Sequence, residues 1–111
     1  MIQRLILICL FAIIATNAAA HKLVVFASVD CEAVNVEAKF SNGRLAIKGD
    51  IRVLDGNNQL LQTLQLGDDG TAAIPLTSVD HSSGLVIEVD TGSHENYWIV
   101  TPEDIVSKCG S

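Results

Sequence analysis

Basic residues are scarce in this chain. Seven Lys and Arg face 13 Asp and Glu, a net charge of −6 at neutral pH. An acidic surface repels phosphate backbones, which argues against nucleic acid as a partner. It is compatible with cation binding, although most acidic proteins are merely soluble. Aromatics make up only 5% of the residues. The single Trp, Trp98, sits in a strand pattern and reads as core rather than as a ligand platform. Catalytic signatures are missing too: there is no G-x-S-x-G elbow, no P-loop and no H-E-x-x-H. Ser82 and Ser83 lie beside Asp80 and His81, but triad members converge from separate parts of a chain, not from neighbours. The chain therefore reads as a non-enzyme. There is no internal repeat and no low-complexity segment. Asp68-Asp69 and Asp55-Gly56-Asn57-Asn58 are calcium-like in composition, yet they lack EF-hand spacing and read as hairpin turns.

One long apolar run is present, at the start. Arg4 precedes it, Leu5–Ile14 carries no charge, and Thr16-Asn17-Ala18-Ala19-Ala20 is a small-residue exit. This is the pattern of a cleaved secretory signal, Met1–Ala20, with Ala18 and Ala20 at the −3 and −1 positions. The run is shorter than the roughly 20 residues a spanning helix needs. Cleavage leaves residues 21–111, a size suited to one small domain in the periplasm or outside the cell. Arg4 departs with the signal, so the net charge moves from −6 to −7. No later apolar stretch reads as a membrane anchor.

From Lys22 onward the hydrophobic period is two, not 3.6. Lys22–Val29, Ala33–Phe40, Asp50–Leu54, Leu60–Leu66, Thr71–Leu76, Leu85–Asp90 and Glu95–Val100 read as strands. In Ala33–Phe40, Val34, Val36, Ala38 and Phe40 share one face; Ile51 and Val53 point inward in the next. Ser41-Asn42-Gly43, Asp55-Gly56-Asn57-Asn58 and Gly67-Asp68-Asp69-Gly70 punctuate them, because these residues accept positive φ cheaply. Pro75 suits a sheet edge or a strand end. The expected fold is all-β: a single immunoglobulin-like or prealbumin-like β-sandwich of about seven strands. A short helix follows, with Thr101 as N-cap, Pro102 at the first helical position and acids in the first turn, running to about Lys108.

Two cysteines remain after cleavage, Cys31 and Cys109. In an exported chain an even pair argues for one disulfide. It would close a loop of about 79 residues, worth roughly 4 kcal/mol in the chain-entropy picture. Free thiols or a metal site are the alternatives, and no CxxC spacing supports the latter. Of the three histidines, His21 is distinctive: cleavage at Ala20 gives it both a free α-amine and an imidazole. These two nitrogens can close a chelate ring on one ion, and they suit Cu, Ni or Zn better than Ca or Mg. His94 is a candidate second ligand. In immunoglobulin-like sandwiches the first strand can pair parallel with the last, which would bring His21 and His94 to one end. Glu95 and Asp90 are close enough in sequence to add an oxygen ligand. His81 reads as an ordinary loop residue.

The segment His21-Lys22-Leu23-Val24-Val25-Phe26-Ala27, directly after a signal, resembles the opening of periplasmic accessory components of nickel and cobalt uptake transporters of the energy-coupling-factor type. The resemblance continues through Val34–Gly43, Ile51–Asn57, Asp68-Asp69-Gly70 and Leu85–Gly92. The strand-and-turn signals are also similar to prealbumin-like modules related to carboxypeptidase regulatory domains. Gly92-Ser93-His94 matches a Gly-x-His found near the last turn in that family. The resemblance implies a metal site at His21 and His94, Ni²⁺ or Co²⁺ as the ion, and membrane transporter subunits as partners. Many relatives go on to a C-terminal membrane segment, which is not seen here. A copper-binding periplasmic carrier and a non-metal structural or adhesion module are the alternatives. Mass spectrometry of the exported protein should give a chain that begins at His21 and has lost the mass of two hydrogens; a first residue at Ala19 would remove the chelate.

Overall fold

The computed structural model describes residues 22–109. The signal segment Met1–Ala20 and the expected new terminus His21 lie outside the described residues. Seven strands form: β1 (Leu23–Val29), β2 (Ala33–Phe40), β3 (Asp50–Asp55), β4 (Leu60–Gln65), β5 (Thr71–Pro75), β6 (Leu85–Asp90) and β7 (Glu95–Val100). Helix α1 (Pro102–Cys109) follows. Strands β1-β2-β5 make one antiparallel sheet and β4-β3-β6-β7 the other. The protein is a β-sandwich.

Strict alternation is what makes these strands. Along β1, Leu23, Val25, Ala27 and Val29 are buried while Val24, Phe26 and Ser28 face out. Side chains alternate across a strand, so each run offers one apolar face to the facing sheet. Val34, Val36 and Ile74 meet Ile51, Val53, Ile87, Val89 and Val100 in a single core. Among the described residues no polar side chain is buried. A slip of one residue would turn any of these apolar rows into solvent, so the core pins the register. Pro75 is the last residue of edge strand β5, where its missing N–H leaves no gap in the ladder.

Each connection between consecutive strands is built on an Asp or Asn carbonyl-type oxygen that accepts the backbone N–H two residues on. Asp30 accepts from Glu32, Asn42 from Arg44, Asp55 from Asn57, Asp69 from Thr71, Asp80 from Ser82 and Asp90 from Gly92. This local bond imitates a backbone turn and satisfies a donor at the point where the ladder stops. Asp55-Gly56-Asn57-Asn58 is a hairpin turn of this kind between β3 and β4, whereas Asp68-Asp69, expected as a hairpin, sits in a turn that carries the chain from β4 in one sheet to β5 in the other. Gly70 shows how tight one of them is. Its φ is +75°, its carbonyl accepts Ala38 N–H at 2.9 Å, and an added Cβ would lie 2.9 Å from the Ala38 carbonyl oxygen. The helix start is a reciprocal cap. Asp104 N–H donates to Thr101 Oγ1 at 3.1 Å, and Thr101 N–H donates to Asp104 Oδ2 at 3.0 Å.

Two features depart from the sequence reading. Strands β1 and β7 do run side by side and start at the same end, but no ladder joins them. They are edges of different sheets: β1 pairs only with β2, and β7 only with β6. They meet instead through Asn96 Nδ2, which donates to the Leu23 carbonyl at 2.9 Å, and through the Phe26 and Trp98 rings, 5.1 Å apart and edge-to-face. Trp98, expected in the core, is 38% exposed. Its inward position on an edge strand reaches only the corner of the sandwich.

Three turn carboxylates sit below their ordinary pKa of 3.8: Asp30, mainly through the Asn35 amide and then the Ala33 and Glu32 N–H groups; Asp69, through the Thr71 hydroxyl and N–H; and Asp80, through the Ser82 hydroxyl and N–H. A depressed folded value means the stabilisation is present above the unfolded pKa and is lost as pH falls through the folded one. The thermal midpoint should therefore hold steady down to about pH 5 and fall below about pH 4. Calorimetry across that range checks it, and Asp30→Asn should flatten part of the fall.

Candidate functional site

Of the residues singled out by sequence, His94, Glu95 and Asp90 lie at the end of the sandwich where β1 begins. Lys22, the first described residue, is tied to the end of β2: its N–H donates to Ser41 Oγ at 3.1 Å, and Ser41 N–H donates to its carbonyl at 2.8 Å. Leu23 lies opposite Phe40 in the β1–β2 ladder. The Phe40 ring in turn packs edge-to-face on the His94 imidazole, with centroids 5.5 Å apart at 73°. One aromatic residue thus links the start of β1 to the turn before β7. Phe40 was visible in the sequence only as the last apolar member of an alternating strand; its contact with His94 crosses from one sheet to the other.

His94 closes the β6–β7 turn. Its carbonyl accepts Thr91 N–H at 2.9 Å and Thr91 Oγ1 at 3.2 Å. Ser93 Oγ lies 3.0 Å from Nδ1. Gly92 occupies the left-handed region at φ +99° with open space beside it, which lets the chain reverse within so few residues. Glu95 is exposed and lies opposite Asp90 in the β6–β7 ladder. Asp90 Oδ1 accepts Gly92 N–H at 2.7 Å, so that oxygen is engaged in the turn. Asp50 is the next partner across the sheet, so Asp50, Asp90 and Glu95 stand abreast on three strands. Among the described residues no three His, Cys, Asp or Glu side chains come close enough together to hold a metal ion. The structure brings His94 to the end where the chain enters β1, while Glu95 and Asp90 face each other across their ladder.

Cys31 and Cys109 are disulfide-bonded at the opposite end, with Cα atoms 5.0 Å apart. Cys31 lies at the tip of the β1–β2 hairpin and Cys109 is the last residue of α1. His81 is half-buried there and lines an open cleft of about 450 Å³ beside the bridge. Sequence gave no sign of that neighbourhood, since the β5–β6 connection and α1 meet only in the folded chain. Ser82 Oγ donates to Asp80 Oδ1 at 2.8 Å, so the Asp-His-Ser-Ser stretch is a turn held by its own first residue. Among the described residues no helix is long and apolar enough to cross a membrane.

The arrangement defines a class, a seven-stranded β-sandwich with a disulfide-tied C-terminal helix. No protein-family model, no curated protein and no solved structure matches this chain. The Phe40–His94 contact is checked by NMR. The imidazole protons should show a ring-current shift that disappears in Phe40→Leu while the unfolding transition stays cooperative.

Proposed function

We propose that this chain is an exported, periplasmic accessory domain for transition-metal uptake, which binds Ni²⁺ or Co²⁺ at the end of the sandwich where β1 begins. The ion is cargo. The α-amine and imidazole of His21 form the chelate, and His94 supplies a further nitrogen. Ser93 Oγ beside Nδ1 leaves Nε2 as the nitrogen free to face the ion. Membrane transporter subunits are the receiving partners.

One observation carries this reading. Phe40 pairs with Leu23 and packs on His94, so the two strand starts share an end. His21 is two residues before Leu23 in sequence, so the chain between them can span at most about 7 Å. The carboxylates of Asp50, Asp90 and Glu95 flank the same turn and make it attractive to cations. The sequence resemblance to nickel and cobalt transporter accessory components points to the same chemistry.

Isothermal titration of the protein beginning at His21 should show one Ni²⁺ site. Adding one residue ahead of His21 removes the chelate amine, and His94→Ala removes the second imidazole. Each change should weaken Ni²⁺ at least about tenfold, the loss of roughly one ligand bond. Equal binding by the blocked protein overturns the reading. Cu²⁺ is expected to bind more tightly than Ni²⁺ at any such nitrogen site, so that order does not by itself favour a copper carrier.

A further inference from the structure

We propose that the Cys31–Cys109 bridge is a site of thiol–disulfide exchange with a dithiol, and that opening it releases α1 while both sheets stay folded. The bridge is the main tie between α1 and the sandwich. Only one α1 side chain, Ile105, is buried; Val106 on the next position is 51% exposed. The Thr101–Asp104 cap is internal to the helix start and attaches it to nothing else. Eight residues are too few for a helix to persist unsupported in water. The core between the sheets, from Val34 and Val36 to Ile51 and Ile87, takes only Ile105 from the helix, with Cys109 packed at its margin.

The other half of the bridge is accessible and independently built. Cys31 is exposed at the hairpin tip, and its φ of +77° is one that residues with a Cβ seldom adopt. The turn is held there without the sulfur: Asp30 Oδ1 accepts Glu32 and Ala33 N–H at 3.0 and 2.9 Å, and Asp30 Oδ2 accepts the Asn35 amide at 2.9 Å. The hairpin therefore keeps its shape when the bridge opens. Beside the sulfurs lies the open cleft, walled by Leu76, His81, Pro102 and Val106, through which a reductant reaches them.

The exchange runs in two steps. A thiolate of the dithiol attacks Cys31 Sγ; the new S–S bond forms as the Cys31–Cys109 bond breaks, and Cys109 leaves as a thiolate that takes up a proton. The second thiol of the dithiol then attacks the mixed disulfide, and Cys31 is released and protonated. The protein gains two electrons and two protons, and the dithiol becomes a disulfide.

Hydrogen exchange by mass spectrometry tests this, comparing the oxidised protein, the protein treated with dithiothreitol, and Cys31→Ser combined with Cys109→Ser. Reduction and the double substitution should each speed exchange in residues 104–109 by at least about tenfold and leave β2, β3 and β6 within about twofold. Three results overturn the proposal: a bridge that dithiothreitol fails to reduce in the folded protein, unchanged exchange in 104–109, or equal acceleration throughout the strands. Ni²⁺ titration of the doubly substituted protein, which carries neither thiol, separates this from the metal reading, since loss of the bridge leaves the other end of the sandwich unchanged.

Discussion

The sandwich depends on a short bond made repeatedly: an Asp or Asn side-chain oxygen in each connection between strands accepting the N–H two residues on. Every strand-to-strand connection has one, from Asp30 at the first hairpin to Asp90 at the last. In the three hairpins, β1–β2, β3–β4 and β6–β7, the bond sits where the ladder stops and the chain reverses. That stop sets the pairing offset, and the offset decides which side chains enter the core. Alternation in the strands and carboxylates in the turns are therefore one constraint acting twice.

This explains much of the acidity. The chain has 13 Asp and Glu, and its turn aspartates are occupied with backbone N–H groups rather than waiting for cations. Asp90, itself one of these turn residues, also belongs to a cross-strand row on the outer face of the larger sheet. There Asp50, Asp90 and Glu95 stand in one cross-strand row, while the next row carries the Arg52–Glu88 ion pair at 3.0 Å. Like charges directly opposite cost a few tenths of a kcal/mol, roughly 0.2–1, and the exposed ion pair contributes about as little. The row places negative potential beside His94, at the end where the chain enters β1.

The two ends of the sandwich are built differently. At one, the links are light: a Ser41 hydroxyl, an edge-to-face ring contact and a glycine turn hold Lys22, Phe40 and His94 near each other. At the other, a covalent bond ties the first hairpin to the last helix across a sequence separation of 78. In the chain-entropy picture such a loop closure is worth roughly 4–5 kcal/mol, a large share of a small domain's stability. Its exposed position at Cys31 makes the same bond open to exchange.

Strand positions were legible because β periodicity is local. Ala33–Phe40, Leu85–Asp90 and Glu95–Val100 have the boundaries that alternation and turn residues imply. The helix start was legible for the same reason, since Thr101, Pro102 and Asp104 act within one turn of each other. The Cys31–Cys109 pairing followed from counting, because only two cysteines lie beyond the first apolar run.

What the tertiary structure alone decided is which elements become neighbours. The sequence could not say that β1 and β7 would be edges of separate sheets, joined by Asn96 and by Phe26 against Trp98 instead of by a ladder. Nor could it place Phe40 on His94, or His81 beside the disulfide. Alternation and turn chemistry act over a few residues and are written in the chain by itself. Contacts between sheets depend on how two twisted layers stack, which no short window of sequence contains.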